Sequence, residues 1–558
     1  MKKPAQPPPA SIIKLVLVLS MIFMGACGLV YEYVLSVLGN YLMGTSYEEI
    51  FIIIGVMMFA MGIGSLVQRI VAGNLFEKFL LLEVLLGLLG GFSATIVYML
   101  FAVTPAYKVI LYCIALSIGV MIGMEIPLLI RINQEYSESL RVNLSEILCM
   151  DYIGSLIGAL LFTYVLLTHF TLAKISFVLG LTNILIGLVS LFVFRYFLDR
   201  FGLLLLVTLV SLGSICFGFY KSADWSRWAE QKYYNDPIVF SETTPYQHLT
   251  LTKGRREINF FINGHLQFSS SDEYIYHELL VFPPLVLSAT AEKILILGGG
   301  DGLALREVLK FPSVRRVDLV DLDPGVIALA SHQPDLIHLN QASFSDARVR
   351  IHGSTGVSLG ETIEVVTRNW RSEFALDSRL EPVAEVNLYL IDADLFVRTF
   401  DDLYDCIIID LPDPSTLELA KLYSFDFYRL LINNLKPEGF LSLQATSPFY
   451  SKNTFLSIGK TLREAGLKAL PYHENVPSFG EWGWYLCWRH DLTAAQIRKK
   501  LDSITDFPTT QFLTPRLLPT CFIFPKNMLQ TEKEINFNSK MNPVLWAYYR
   551  NDWKYGPD

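Results

Sequence analysis

Hydrophobic and polar positions divide this chain into two textures. Up to about residue 220 the apolar residues come in long runs, near 12–33, 49–71, 79–101, 107–130, 148–169, 174–196 and 201–219. Such runs match the roughly 20 residues a helix needs to cross a bilayer, so 1–220 is predicted to be a transmembrane region of about seven helices. Residues 221–237 (KSADWSRWAEQKYYNDP) turn polar and aromatic and read as a linker at the membrane interface. From 238 to 270 the pattern alternates with a period of two, HLTLT and then INFFINGHLQF around a Lys-Gly-Arg-Arg turn, as in a small β-domain. A helix over 272–287 connects this unit, 238–290, to the next strand. Over 291–495 apolar strands (KILIL, RVDLV, VNLYLI, YDCIIID, GFLSLQA, WYLCW) alternate with helical stretches, the βαβ pattern of a mostly parallel sheet. A polar stretch at 352–386 interrupts it, and the C-terminal extension 496–558 carries no readable pattern.

Composition supports the membrane reading. Of 558 residues 52% are hydrophobic and only 18% charged, and the mean hydropathy of +0.39 is too apolar for a soluble enzyme of this length. The first run lacks a small-residue cleavage site and is read as a permanent span, giving a multi-pass protein of the cell (inner) membrane. If all seven runs cross, Lys2, Lys3, Arg69, Lys78, Arg131, Arg141, Arg195 and Arg200 share one side, against Lys108 and Lys174 on the other. The positive-inside rule then places the N-terminus in the cytoplasm and the C-terminal domain outside. A count of six or eight spans reverses the second placement, and 201–219 is the weakest candidate. The net charge of −8, without any basic stripe, argues against a nucleic-acid partner. The seven scattered cysteines form no C-x-x-C pair and indicate neither a disulfide framework nor a zinc site.

The chemistry concentrates at Ile294–Gly302, ILILGGGDG, a strand running into a glycine turn that opens the helix LALREVLK. This is a nucleotide-binding corner, because glycine lets the backbone approach a ligand closely. The next strand ends in Asp321, where a ribose diol would lie, so an adenosine is expected. Asp301, inside the glycine run, points beyond the ribose and calls for a cation. Asp410 ends the strand CIIID and is followed by Asp413. Taken singly, Asp321 says only "ribose", Asp410 fits a helix cap before proline, and His277 fits a surface histidine.

Several motifs in order resemble the spermidine synthase family of polyamine aminopropyltransferases over roughly residues 240–490. They are Tyr246-Gln247, NGHLQFSSSDEYIYHE from Asn263 to Glu278, GGGDG from Gly298, VDLD from Val320, Asp392-Ala393, and DLPDP from Asp410 to Pro414. The resemblance implies a small β-domain followed by a methyltransferase-type, Rossmann-like domain, usually in a dimer or tetramer. It implies transfer of the aminopropyl group of decarboxylated S-adenosylmethionine, a co-substrate and not a bound cofactor, to putrescine, giving spermidine and methylthioadenosine. Gln247, His277, Gly298, Gly300, Asp301, Asp321, Asp392 and Ala393 would bind the donor. Asp410 would accept the proton, with Asp413 and Tyr276 holding the amine. The sequence departs from the family after the aspartate pair, where STLELAKLYS replaces a Gly-Pro segment, and at Val476, where a tyrosine often stands. Glu481, in the loop over the site, is a candidate for a second ammonium or else a solvated loop residue.

The residues agree with that chemistry. A protonated amine has no lone pair, so attack beside a sulfonium needs a carboxylate to take the proton, while the thioether leaving group needs no acid. Asp301 would attract the donor's ammonium and repel the carboxylate of ordinary S-adenosylmethionine. No metal is expected. Two other readings stay open: a methyltransferase using intact S-adenosylmethionine, and a polyamine transporter or sensor with an adenosyl-binding domain. Glu32, Glu125 and Asp151 lie within apolar runs and are candidates either for cation handling or for structural pairing.

Overall fold

A computed structural model describes residues 9–43, 47–137, 139–288, 290–344, 349–353 and 384–555. The chain forms two compact units, Met1–Pro237 and Ile238–Asp558. In the first, among the described residues, seven helices are long and apolar enough to cross a membrane. They are α1 (Ala10–Met43), α2 (Tyr47–Val67), α3 (Leu75–Phe101), α4 (Tyr107–Asn133), α5 (Leu140–Leu161), α6 (Leu172–Val193) and α7 (Phe201–Tyr233). Asn74, Ser139 and Thr171 each accept a backbone N–H and so cap the starts of α3, α5 and α6. Within α4, Pro127 has no N–H to offer the carbonyl of Gly123, and Ser65 of α2 donates to that oxygen instead, at 3.0 Å.

The segment read as a linker is mostly helical. Residues 221–233 continue α7, because nothing between Lys221 and Tyr233 breaks a helix and the first proline is Pro237. Lys221 and Asp224, one turn apart, pair at 3.0 Å on that extension.

The second unit opens with a four-stranded antiparallel sheet, β1 (Ile238–Thr243), β2 (His248–Lys253), β3 (Ile258–Ile262) and β4 (His265–Ser269), paired in chain order. The period-two pattern is realised in Leu249, Leu251, Phe260 and Phe268, which share one buried cluster. Helix α8 (Glu273–Leu287) leads into an eight-stranded sheet. Its strands are β5 (Lys293–Gly298), β6 (Arg316–Asp321), β7 (Val349–Gly353), β8 (Glu385–Leu390), β9 (Tyr404–Asp410), β10 (Leu435–Gln444), β11 (Lys468–Val476) and β12 (Gly480–Trp488), in the order β11-β12-β10-β9-β5-β6-β8-β7. All neighbours from β10 to β7 are parallel, and β12 alone runs against both of its neighbours. Ile294–Leu297 and Cys406–Ile409 are fully buried, as strands covered on both faces must be. Strand order reverses at β5, so the C-terminal ends of β5, β6 and β9 border the crevice where such sheets bind ligands. Most of the polar stretch 352–386 lies outside the described residues.

The C-terminal extension folds into this unit. Its helix α15 (Val544–Tyr555) packs on α13 (Lys452–Glu464). There the buried Asp552 accepts from Asn453 Nδ2 (2.6 Å), Thr454 N (3.1 Å) and Thr454 Oγ1 (3.0 Å). Farther back, the enclosed carboxylate of Glu278 accepts the backbone N–H of Phe512 (3.1 Å) and Leu513 (2.7 Å).

Candidate active site

The glycine turn after β5 sets the geometry. Gly298 has φ +84°, and a Cβ there would lie 2.0 Å from the carbonyl oxygen of Asp410, its register partner on β9. Only glycine therefore lets these strand ends approach. At Gly300 a Cβ would meet Asp321 Oδ2 at 2.6 Å, and the Gly300 N–H donates to that oxygen at 2.9 Å. Asp321 Oδ1 accepts from Asp323 N at 2.9 Å, which fixes the carboxylate at the end of β6. Burial pushes the Asp321 carboxyl up to about 7, against the pull of those two N–H donors. Gln247 stands in the loop before β2, which is tied to this corner by Thr244 Oγ1 donating to Asp323 Oδ2 at 2.8 Å.

Helix α8 supplies the opposite wall. Tyr276 donates to Asp410 Oδ1 at 2.8 Å, and His277 Nε2 lies 3.9 Å from Asp410 Oδ2. The other ring nitrogen of His277 meets Glu273 Oε2 at 2.8 Å, one turn back. Glu273 in turn takes two bonds from Arg306 (2.7 and 3.0 Å), whose Nε also reaches Glu307 (2.8 Å). Signs thus alternate along a buried chain, Glu307, Arg306, Glu273, His277, Asp410. Burial works against the charged His277, but Glu273, Asp410 and Asp301 outweigh it and raise its pKa to about 9. The imidazole is a cation at neutral pH and both its nitrogens are donors.

One ligand atom each of His277, Asp301 and Asp410 lies within 4.8 Å of the others. No such cluster is apparent in the linear sequence, and with His277 protonated its two carboxylates suit an organic cation. Asp301 Oδ1 accepts from Leu303 N at 2.9 Å, and burial pushes its carboxyl up to about 6 despite His277. Burial also raises Asp410, against His277 and the Tyr276 hydroxyl.

Asp413, three residues past β9, accepts from Gln444 Nε2 (3.1 Å) and from the hydroxyl of Tyr549 on α15 (3.0 Å). Burial still raises it to about 6. Tyr276 and Asp413 therefore do not share a bond: the tyrosine belongs to Asp410. Asp392 lies apart from this cluster in its bonding. It follows β8, caps α11 (Ala393–Thr399) by accepting from Asp394 N and Leu395 N, and pairs with Lys421 at 2.8 Å. Ala393 is buried beneath it.

The hairpin of β11 and β12 replaces the expected loop. Val476 is buried opposite Gly480, and Glu481 stands partly exposed on β12, bound to His473 Nδ1. The hairpin turn is anchored at the start of α8, where Ser478 N and Oγ donate to Asp272 (2.6 and 3.0 Å). Trp484 and Phe479 flank the Tyr276 ring at 5.7 and 6.4 Å. Sequence reasoning does not single out Glu273, Arg306, Gln444 or Tyr549. Glu273 lies four residues before His277, a legible helical spacing, but Tyr549 offers no local signal.

Residues 273–368 and 381–499 match the family described as Spermine/spermidine synthase domain. Over 556 residues the chain is 37% identical to polyamine aminopropyltransferase 1 of Ralstonia nicotianae, covering 98% of this chain and 97% of that one. It is 33% identical over 538 residues to the polyamine aminopropyltransferase of Leptospira interrogans, covering 96% and 98%. Both likenesses run through the helical unit as well as the α/β unit. A crystal structure of spermidine synthase in complex with the transition-state analogue AdoDATO aligns with 52% of this chain and 87% of its own, at 22% identity and TM-score 0.40.

Proposed function

The chain belongs to the spermine/spermidine synthase family and is a polyamine aminopropyltransferase, and we propose that it joins decarboxylated S-adenosylmethionine to putrescine, giving spermidine and methylthioadenosine. The observation that carries this reading is the meeting of Asp301 and Asp410 with His277 within 4.8 Å at the glycine corner, with Asp413 three residues beyond Asp410, and burial raises all three carboxyls. Carboxylates that burial disfavours as anions gain most from a cationic substrate, and this donor carries a sulfonium and an ammonium.

In this reading Asp321 holds the ribose, the Gln247 loop and the Asp392-Ala393 turn flank the adenosyl group, and Asp301 holds the aminopropyl ammonium. Asp413 anchors the far ammonium of the diamine, oriented by Gln444 and Tyr549. The near amine gives up a proton to Asp410 Oδ2 while Tyr276 holds Oδ1. Its lone pair then forms the new C–N bond at the methylene beside sulfur, and the C–S electrons return to sulfur as a neutral thioether. His277, kept protonated by Glu273, steadies Asp410 as an anion before it takes the proton. Asp301 disfavours intact S-adenosylmethionine, whose carboxylate would face it, and so disfavours methyl transfer.

We further propose that the seven apolar helices cross a bacterial inner membrane, with lipid as their solvent. The acceptor is tested by giving the purified protein equal putrescine, cadaverine and spermidine with the decarboxylated donor and separating the products. Spermidine is expected to dominate. Predominant product from another amine would overturn the assignment of the acceptor.

A further inference from the structure

Among the carboxylates that the helical unit buries, Glu83 and Glu125 are the most completely enclosed, and aminopropyl transfer uses neither. Glu83, on α3, is fully enclosed. Its Oε2 accepts from Asn183 Nδ2 of α6 at 3.1 Å, and its Oε1 receives no hydrogen bond from any described residue. The Asn183 side-chain oxygen is equally enclosed and equally without a donor. Glu125, on α4, is 1% exposed, and its Oε1 is a third such acceptor. The two glutamates interact electrostatically with each other, and among the described residues no lysine, arginine or histidine pairs with either. Asp151 differs: it is half-buried, with its carboxylate over Gly25 where α1 and α5 pack, and serves that contact.

Acceptors of this kind, unpaired inside an apolar helical bundle, are costly unless something donates to them. An ammonium has three donors and no acceptor, which complements a set made only of oxygens. Two carboxylates and one amide carbonyl supply at most five oxygens, short of the roughly six to eight that calcium takes. Two carboxylates on separate helices match two ammonium groups of one flexible chain. We propose that Glu83, Glu125 and the Asn183 carbonyl form a binding site for a protonated polyamine inside the helical unit, separate from the catalytic site. The choice of a polyamine among organic cations rests on the function proposed above.

Equilibrium binding of labelled spermidine to the full-length protein in lipid nanodiscs, without donor, tests this. Two spermidines per chain are expected. Asp413→Asn should remove one, and the double change Glu83→Gln, Glu125→Gln should weaken the other at least tenfold while aminopropyl transfer stays within twofold. Asn183→Leu, which removes an acceptor without removing a charge, should weaken the same site and guards against misfolding of the double variant. A single spermidine per chain, lost with Asp413→Asn, overturns the proposal, as does displacement from the second site by sodium or calcium at equal concentration. Absence of transfer to every amine would instead overturn the catalytic reading and leave the second site countable.

Discussion

The hydroxyl of Tyr549 donates a 3.0 Å hydrogen bond to Asp413 Oδ2, so the last helix of the chain completes the carboxylate pair at the end of β9. The polar hub at Asp552 clamps that helix to α13. Hydrogen bonds to charged groups contribute about 1.5–3 kcal/mol, so Tyr549→Phe should raise KM for the amine roughly tenfold and leave KM for the donor unchanged. Asp552→Ala should lower stability by about 2–3 kcal/mol and reproduce the amine defect, because both faults reach the site through α15. Steady-state kinetics and chemical denaturation of the two variants check this.

Asp410→Asn keeps the size of the side chain and the bond from Tyr276 but cannot take a proton. Transfer should fall about 10²-fold or more with donor binding retained. Near-normal turnover would remove Asp410 from the role of base.

The sequence displays the parts of the site that lie within a few residues of each other. GGGDG, Asp321 and the Asp410–Asp413 pair each sit at the end of an apolar strand, and the sheet order puts those ends side by side. What escapes a reading of the sequence is what depends on distant partners. Tyr549 lies more than a hundred residues beyond Asp413 in a tail without periodicity. Glu83 hides in LLLEVLLG as one acid in an apolar run, and only the approach of α6 shows that Asn183 meets it. The polarity of 221–233 suggests a linker, and its helical form depends on the absence of a breaker. Glu481 reads as a loop residue by composition, and only the β11–β12 register places it beside His473.

Asp301→Asn should weaken the decarboxylated donor and narrow its advantage over S-adenosylmethionine, since attraction to the ammonium and repulsion of the carboxylate vanish together. Calorimetry with both donors reads the ratio, and an unchanged ratio would place the discrimination elsewhere.

The shifted groups set the pH profile. Asp301 and Asp413, raised to about 6, must lose protons before they can bind cations, and Asp321, raised to about 7, must lose its proton to accept from both ribose hydroxyls, so kcat/KM should rise between pH 6 and 7. It should fall above about 9 as His277 loses its proton. Stability of the free protein runs the other way. The raised His277 stabilises fully below its ordinary value of 6.5 and loses that contribution as pH climbs through about 9. The raised carboxyls likewise lose theirs by about pH 7. Melting temperature without substrates should therefore drop from pH 6 to 9, and the donor should restore part of it.

The most direct measurement is the nucleoside product. Purified protein is incubated with putrescine and either decarboxylated or intact S-adenosylmethionine, and methylthioadenosine and S-adenosylhomocysteine are quantified together with the amine products. Methylthioadenosine is expected in equal amount to spermidine from the decarboxylated donor, and no S-adenosylhomocysteine from the intact one. S-adenosylhomocysteine accumulating with a methylated product, or nucleoside release without spermidine, would contradict aminopropyl transfer.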